Sequence, residues 1–424
     1  MSKDSKLAGK IKWQIARFSG RLSEGLAKPL RRFIGDMIYG IQASRDVKLS
    51  NIARALQEEI KLIKTENRLS RNLAAMDLTE ELNRRLCWEG SGLIQDDSVL
   101  AVDLSDIRKE YAKKLEYLAE VRDGSTGEIA NGFWLCEIIG ADVHGDKIVP
   151  LYGELYSHTA DDFVSENTQL LKAIDLVTGM TGGRGIIAID RGGDRYKILK
   201  PLLQRELRFV IRQKGDRHVI LPGGRTVRLR NAARWCKTTL RYNVVVERGG
   251  YKEEKQLGLG CLPVRLPKVP DEPLWLVVIR GFGEQPILLL TSVQPEEGRE
   301  YPKRIAEIYL TRWKCDESYR FMKQAYNLED VRVRRYVSLR NTYVLLHSIV
   351  YFVSVVIGAK TRLNLLFKKI CERAQRLFEI APFFHYAVAE GIHRILFASS
   401  PPPATKEPQQ HHNQLRFAFA RPPN

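Results

Sequence analysis

The sequence predicts an α/β protein in which a strand-rich centre lies between helical regions at the two ends of the chain. Apolar residues recur at three- and four-residue spacings in residues 1–90 and again in 301–398, which is typical of helices that bury one face. Between these regions, short apolar runs alternate with glycine- and proline-containing turns, which indicates strands. The chain has 424 residues, enough for about two to four domains.

The composition indicates a soluble globular protein with an anionic partner. The chain is 44% hydrophobic and 28% charged, which excludes collagen-like, disulfide-stapled and intrinsically disordered classes for most of it. Its formal net charge is +18. Residues 1–75 hold 16 basic and 7 acidic residues, and residues 201–250 hold 12 and 3, so each window carries +9. Because the excess lies in two regions, nucleic acid is favoured over a membrane.

Cysteine use and the apolar segments predict a cytoplasmic protein that does not enter a membrane. The six cysteines include no Cys-x-x-Cys pair, which argues against a zinc site or a disulfide framework and for a reducing compartment. The N-terminus lacks the apolar core of a signal peptide. Residues 343–359 are apolar for about the length of a short membrane span. His347, Ser348 and Ser354 lie among them, so we expect a buried helix.

The N-terminal region, residues 1–90, is predicted to be a helical, basic domain. Residues 29–42 and 49–62 carry apolar side chains at helical spacings. A stripe of four cations follows at separations of 3, 4 and 3 residues, namely Lys61, Lys64, Arg68 and Arg71. On a helix these separations place all four within about 80° of one face. Such a stripe suits a run of DNA phosphates, and a solvated helix face is the alternative.

Residues 91–212 predict the first part of a catalytic core. The predicted strands and helices are, in order, strands 99–104, 132–143 and 147–156, helix 166–177, strand 185–190, helix 194–207 and strand 208–212. Three strands, a helix and a fourth strand is the order of the ribonuclease-H-like fold, in which the first and fourth strands are neighbours. Asp103 and Asp190 end those two strands and would then share one site. Two hard oxygen ligands suit Mg²⁺, although a strand-end Asp is more often a turn or cap residue.

The remainder of the chain divides into three predicted regions. Residues 213–300 contain short strand candidates with few helical signals, which predicts an all-β insertion. Residues 301–398 are helical and would complete the catalytic core. Residues 399–424 are rich in Pro, Gln and His, which predicts a disordered tail.

A charged constellation lies in the first helical segment after the insertion. Its members are Tyr309, Arg312, Asp316 and Lys323. At about 100° per residue, all four would lie within about 60° on one helix face, and Glu317 would lie about 100° from Asp316. An acid between two cations and a phenol is suited to a metal ligand with phosphate-binding neighbours. An internal salt bridge from Arg312 to Asp316 on an ordinary amphipathic helix is the alternative.

Together, the Asp103 strand, the Ile-Asp-Arg-Gly-Gly-Asp segment at Asp190 and the Tyr-x2-Arg-x3-acid-x6-Lys helix resemble the Asp-Asp-Glu transposases of bacterial insertion sequences. The insertion sequence four family has Tyr, Arg, Glu and Lys at this spacing. The resemblance implies a catalytic, metal-binding triad of Asp103, Asp190 and Asp316, with Glu317 in reserve. Asp316 stands where the family has Glu, and its side chain is one methylene shorter.

The resemblance also implies cofactors and partners. Two Mg²⁺ or Mn²⁺ ions would bind the triad, and Tyr309, Arg312 and Lys323 would contact DNA phosphates. The N-terminal helices would bind the inverted repeats at transposon ends, and the protein would act on double-stranded DNA in the bacterial nucleoid, as a homodimer. The expected activity is strand cleavage followed by strand transfer. A nuclease or resolvase of the same fold and an inactive DNA-binding derivative are the alternatives.

Overall fold

A large mixed sheet with helices packed on it forms the centre of the protein. The computed structural model describes residues 3–122, 127–145, 147–248, 251–295, 300–358 and 384–398. The predicted disordered tail, residues 399–424, lies outside the described residues. The fold class is mixed α/β, as predicted.

The strands, in chain order, are β1 (Val99–Arg108), β2 (Ala119–Arg122), β3 (Ile129–Ala141), β4 (Ile148–Tyr156), β5 (Ile186–Ile189), β6 (Phe209–Arg212), β7 (His218–Ile220), β8 (Thr226–Arg228), β9 (Leu240–Arg248), β10 (Tyr251–Leu266), β11 (Val269–Arg280) and β12 (Ile287–Thr291). The helices are α1 (Lys3–Leu22), α2 (Lys28–Ser44), α3 (Leu49–Leu56), α4 (Leu62–Leu73), α5 (Thr79–Ser91), α6 (Glu166–Thr181), α7 (Tyr196–Gln204), α8 (Leu229–Trp235), α9 (Tyr301–Thr311), α10 (Trp313–Ala325), α11 (Tyr336–Tyr351) and α12 (Phe384–Ala398).

Strand β1 lies near the middle of one half of the sheet. It pairs antiparallel with β3, which pairs antiparallel with β4, so the predicted three-strand meander is present. On its other edge β1 pairs in parallel with β5, and β5 pairs in parallel with β6. All four residues of β5 are buried, as expected for a parallel strand covered on both faces. The first and fourth predicted strands are therefore neighbours.

The strands of residues 213–300 continue the same sheet. Strand β12 pairs antiparallel with β6, and β11 and β10 follow outward. The prediction of an all-β insertion needs one correction, because residues Leu229–Trp235 form helix α8. This helix of about two turns buries Leu229, Ala232 and Ala233 at helical spacing.

The N-terminal helices share a core with α11. The ring of Phe18 in α1 stacks on Tyr351 at a centroid distance of 5.8 Å, and Leu69 and Leu73 of α4 are fully buried. The predicted helix over residues 49–62 is split. Helix α3 ends at Leu56 because Gln57 adopts a left-handed conformation with φ of 50°. Helix α4 then begins at Leu62.

Helix α11 continues into a π-helical segment, Phe352–Ile357. The combined stretch Tyr336–Ile357 is long and apolar enough to cross a membrane, but 83% of its apolar window is buried inside the protein. This burial agrees with the predicted core helix, because a membrane span would present its apolar surface to lipid. Position 359, the last residue of the predicted segment, lies outside the described residues.

Candidate active site at the carboxyl ends of two parallel strands

Asp103 and Asp190 lie at the same end of a parallel strand pair. The register of β1 and β5 pairs Val102 with Ile189, and each aspartate is the next residue along its strand. Asp190 also caps a 3-10 turn, since its Oδ1 accepts a hydrogen bond of 2.6 Å from the backbone N–H of Gly192. A Cβ at position 192 would lie 2.8 Å from that oxygen, so glycine permits the close approach. Asp190 therefore caps a turn and also lies beside Asp103, so both interpretations of a strand-end Asp apply to it.

A guanidinium group joins Asp103 to Asp316. Arg312 Nη1 donates to Asp103 Oδ1 at 2.8 Å, and Nη2 donates to Asp316 Oδ2 at 3.2 Å. The side chains of Arg312 and Asp103 are only 9% and 11% exposed, whereas that of Asp316 is 49% exposed. The predicted alternative, an Arg312–Asp316 salt bridge, is thus present together with a contact to the first strand.

The three aspartates influence one another electrostatically. Burial raises the pKa of Asp103 well above its usual range; Arg312 opposes this shift, and the carboxyl groups of Asp316 and Asp190 add to it. Burial also raises the pKa of Asp316, with Arg312 opposing the shift and Asp190 adding to it. Such mutual effects between acids are typical of sites that require a cation.

The donor chemistry suits a hard divalent cation, but the present arrangement has no closed metal cage. Three carboxylates offer the oxygen ligands that Mg²⁺ and Mn²⁺ prefer. Within the described residues, no group of three or more His, Cys, Asp and Glu side chains is close enough to hold a metal ion. Arg312 provides the positive charge between Asp103 and Asp316 instead. Metal binding at these carboxylates would require its guanidinium to turn away.

Asp316, and not Glu317, lies beside the first strand. Glu317 accepts a hydrogen bond of 2.6 Å from Arg320. Burial raises the pKa of Tyr386 in α12, and the charge of Glu317 adds to that shift. Asp316 is on the face of α10 that meets Arg312 and Asp103. The helical phase of the sequence separates these two acids in the same way.

The predicted helix through residues 309–323 has a one-residue break at Arg312, whose backbone keeps right-handed helical angles with φ of −54° and ψ of −30°. Helix α9 ends at Thr311 and α10 begins at Trp313. Tyr309 consequently lies in the core with 1% exposure, so its predicted contact with DNA phosphates is corrected. Lys323 lies two turns beyond Asp316, where its Nζ is 3.1 Å from Glu329 Oε1. Arg312 and Asp316 are thus in contact, whereas Lys323 pairs with Glu329 and does not join them.

A buried polar network lies behind Asp103, and the sequence reasoning missed it. Glu137 is the cross-strand partner of Asp103 and is fully buried. Ser318 Oγ donates to Glu137 Oε1 at 2.7 Å, and His347 Nδ1 lies 3.2 Å from the same oxygen. Tyr319 donates from its hydroxyl to the backbone oxygen of Asp103 at 3.0 Å. The available signal was a single Glu inside an otherwise apolar strand.

Trp313 is a second residue that the sequence reasoning left out of the site. It follows Arg312 directly, is 43% exposed, and its ring lies 5.8 Å from that of Phe282. An exposed aromatic next to the carboxylates is suited to stacking on a base or a sugar.

The predicted stripe on α4 does not face one surface. Lys61, Lys64 and Arg71 are exposed. Arg68 instead donates to Asp36 at 2.7 Å and to Glu58 at 2.9 Å, and its side chain is 22% exposed. Two carboxylates thus compete with phosphate for this guanidinium, and the role of Arg68 in binding DNA stays a prediction.

No protein-family model and no curated protein matches the chain. Among solved structures, the chain is similar to the piggyBac transposase in a cryo-EM structure of its synaptic complex with hairpin DNA. The sequences are 12% identical, the TM-score is 0.43, and the similarity covers 94% of this chain and 84% of that chain. An overlap at this level carries no functional argument, so the function proposed next rests on the side chains of this chain.

Proposed function

We propose that this protein is a transposase of the Asp-Asp-Glu type that binds transposon ends and performs metal-dependent DNA strand cleavage and strand transfer. The observation that carries the proposal is the convergence of three acids from distant parts of the sequence: Arg312 bridges Asp103 and Asp316, and Asp190 lies beside Asp103 at the end of the neighbouring strand. The strand order β4-β3-β1-β5-β6 supports assigning a ribonuclease-H-like core to this half of the sheet.

The three carboxylates would hold two Mg²⁺ or Mn²⁺ ions. When bound, the ions would supply positive charge that stabilises the attacking and leaving oxygens during cleavage of a phosphodiester. Asp103 contributes a buried carboxylate held rigidly by its strand, and Tyr319 fixes α10 against that strand. Asp316 contributes the exposed third carboxylate at the entrance.

In the proposed reaction, water first attacks a phosphodiester at the transposon end and leaves a 3′ hydroxyl and a 5′ phosphate. The freed 3′ hydroxyl then attacks a target phosphodiester at the same carboxylates, and the 3′ oxygen of the target strand leaves as a hydroxyl. Before DNA binds, the positive charge of Arg312 offsets part of the negative charge of Asp103 and Asp316. Its planar guanidinium is equally suited to a phosphate, so DNA binding would move it from the carboxylates onto the backbone. Tyr309 has no part in this scheme because it is buried.

Further cations would hold the DNA around the centre. Lys61 and Lys64 are exposed on the N-terminal helices. A second basic region begins at Arg191, the residue after Asp190, where Arg191, Arg212 and Arg234 line a cavity of about 490 Å³. We assign both regions to duplex DNA, with transposon ends and target as substrates and a homodimer as the active form.

One observation favours a second function, that of a DNA-binding protein derived from a transposase that has lost catalysis. Arg312 occupies the space between Asp103 and Asp316, and the third acid is an Asp with a shorter reach than Glu. If Arg312 stays there when DNA binds, the carboxylates cannot accept metal, and the protein only binds.

A cleavage and joining assay tests the proposal. The protein is incubated with labelled duplexes from the DNA on both sides of its coding region, a supercoiled target plasmid, and Mg²⁺ or Mn²⁺. We expect nicked ends and joined product from the wild-type protein. Nicking without joining would replace the transposase proposal with a nuclease. Binding without nicking would establish the non-catalytic derivative.

A further inference from the structure

A groove of about 850 Å³ lies between the N-terminal helices and the segment that precedes α11. One wall is formed by the face of α4 that carries Ile63, Asn67 and Arg71. The other wall is formed by residues 332–335, which include three arginines, Arg332, Arg334 and Arg335. The groove thus combines residues that lie more than 200 positions apart, and neither half predicts it alone.

The positive charge of this groove is largely uncompensated. Lys48 also lines it, but its Nζ is 2.5 Å from Asp330, so its charge is balanced. Arg332, Arg334 and Arg335 are exposed. Asp330 is close enough to Arg332 for the two charges to interact, but it already pairs with Lys48. Glu66 is the one acid among the residues that line the groove.

The two walls are held in fixed positions by buried hydrogen bonds. Asn341 of α11 donates to the backbone oxygens of Leu73 at 2.9 Å and Met76 at 2.7 Å, which ties the end of α4 to α11. Lys109, just after β1, donates to the backbone oxygen of Val331 at 3.1 Å. The backbone N–H of Glu116 donates to the oxygen of Arg334 at 3.2 Å. The arginines are therefore presented on a preorganised surface, which reduces the entropy cost of binding.

We propose that this groove binds the phosphate backbone of duplex DNA, as a site separate from the carboxylate centre. The proposal rests on the proposed function in that it assumes DNA as the substrate. Duplex DNA carries one charge per about 1.7 Å of its axis, so it can meet several arginines along one groove, whereas a small anion meets one or two. Arginine is suited to phosphate because its fork makes two parallel hydrogen bonds.

The position of the groove is consistent with a single duplex that reaches both sites. Arg108, the last residue of β1, is five residues beyond Asp103, or about 17 Å along the strand. Lys109 follows and donates to the backbone oxygen of Val331, the residue just before the groove wall. At about 3.4 Å per nucleotide along one strand, this separation corresponds to roughly five base pairs. Strand β1 therefore leads from the carboxylate centre toward the segment that carries the groove arginines, which is the direction that a shared duplex would follow.

The test compares two triple variants of the full-length protein that remove equal charge. The groove variant is Arg332→Gln/Arg334→Gln/Arg335→Gln. The control is Lys172→Gln/Lys197→Gln/Lys200→Gln. These three lysines are exposed on α6 and α7 and are not among the residues that line the groove. Affinity for a fluorescein-labelled 30-base-pair duplex, a length of about three helical turns, is measured by anisotropy across a salt series. Thermal melting checks folding, and Ser70→Glu adds an opposing charge in the groove if the triple variant melts early.

We expect the slope of log affinity against log salt to become shallower by about 2 to 3 in the groove variant and by less than about 1 in the control. Ser70→Glu should weaken binding as well. Equal slopes for the two triple variants, with wild-type binding and nicking intact, would overturn the groove and leave the proposed function standing. A shallower slope only in the groove variant, in a protein that never nicks DNA, would support the groove and overturn the proposed catalysis. No DNA binding by the wild-type protein would overturn both.

Discussion

At the carboxylate centre, residues from three distant parts of the sequence lie together, whereas on helix α4 four cations from one short segment are divided between different surroundings. Asp103 and Asp190 meet because β1 and β5 pair in parallel, and Asp316 reaches them through Arg312. On α4, Arg68 turns to Asp36 and Glu58, while Arg71 lines the groove that contains Arg332.

This difference shows which kind of sequence pattern is informative. Strand pairing follows from the order of apolar runs, and it fixes which strand ends meet. Helical phase states only which residues share a face, and the packing of neighbouring helices decides whether that face meets solvent or acids. The acids that hold Arg68 lie on α2 and just after α3, so its surroundings depend on tertiary structure.

The largest expected effect is at the centre. Asp103→Asn and Asp190→Asn should each lower the rate of DNA nicking by at least about 10³-fold, because each removes charge stabilisation worth several kcal/mol. Duplex binding should be retained in both. The control is Asp97→Asn, an exposed aspartate that lies just before β1. Nicking by Asp103→Asn at the wild-type rate would place the chemistry elsewhere.

The choice of third acid gives a smaller but sharper effect. Asp316→Asn should slow nicking by about 10²-fold or more, because it removes the carboxylate that shares Arg312 with Asp103. Glu317→Gln should leave most of the activity, since Glu317 contacts Arg320 instead. Single-turnover nicking assays measure both. The reverse pattern would mean that Glu317, the longer side chain, is the ligand.

On α4, the comparison predicts opposite consequences for two neighbouring cations. Arg68→Met should lower the free energy of unfolding by about 1–3 kcal/mol, since Asp36 and Glu58 lose their partner, and should leave the salt dependence of DNA binding unchanged. The matched variant Lys64→Met should change stability by less than about 0.5 kcal/mol. Urea unfolding and anisotropy separate the two. A weakened salt dependence in Arg68→Met would restore its original assignment to phosphates.

The smallest expected effect is the pH dependence of stability that Lys109 contributes. Lys109 lies just after β1 and contacts the backbone of Val331. Burial lowers its pKa to about 8, from 10.5. Between these values the unfolded chain binds more protons than the folded protein, so the contribution of Lys109 to stability improves as pH rises through this range. The unfolding free energy of the wild-type protein, relative to Lys109→Met, should rise by on the order of 1 kcal/mol from about pH 7.5 to 9.5. Parallel stability curves for the two proteins would contradict this.

Much of the fold follows from local sequence pattern, and the failures have identifiable physical causes. The meander, α6 and the strand before Asp190 are found because each has an apolar period and a turn signal. The interruption at Arg312 has no Gly or Pro to mark it. At this position the guanidinium lies between Asp103 and Asp316. The sequence of one helix cannot report that long-range contact.

The central claim is that Asp103, Asp190 and Asp316 form a metal site whose positive charge is supplied by Arg312 until DNA binds. Electron paramagnetic resonance of Mn²⁺, with the protein bound to duplex DNA, measures this most directly because bound and free Mn²⁺ are distinguished without any turnover. We expect up to two bound Mn²⁺ per chain in the wild-type protein and in Asp97→Asn, and a marked loss in Asp103→Asn. Equal Mn²⁺ binding by all three proteins, or none by any of them, would contradict the claim.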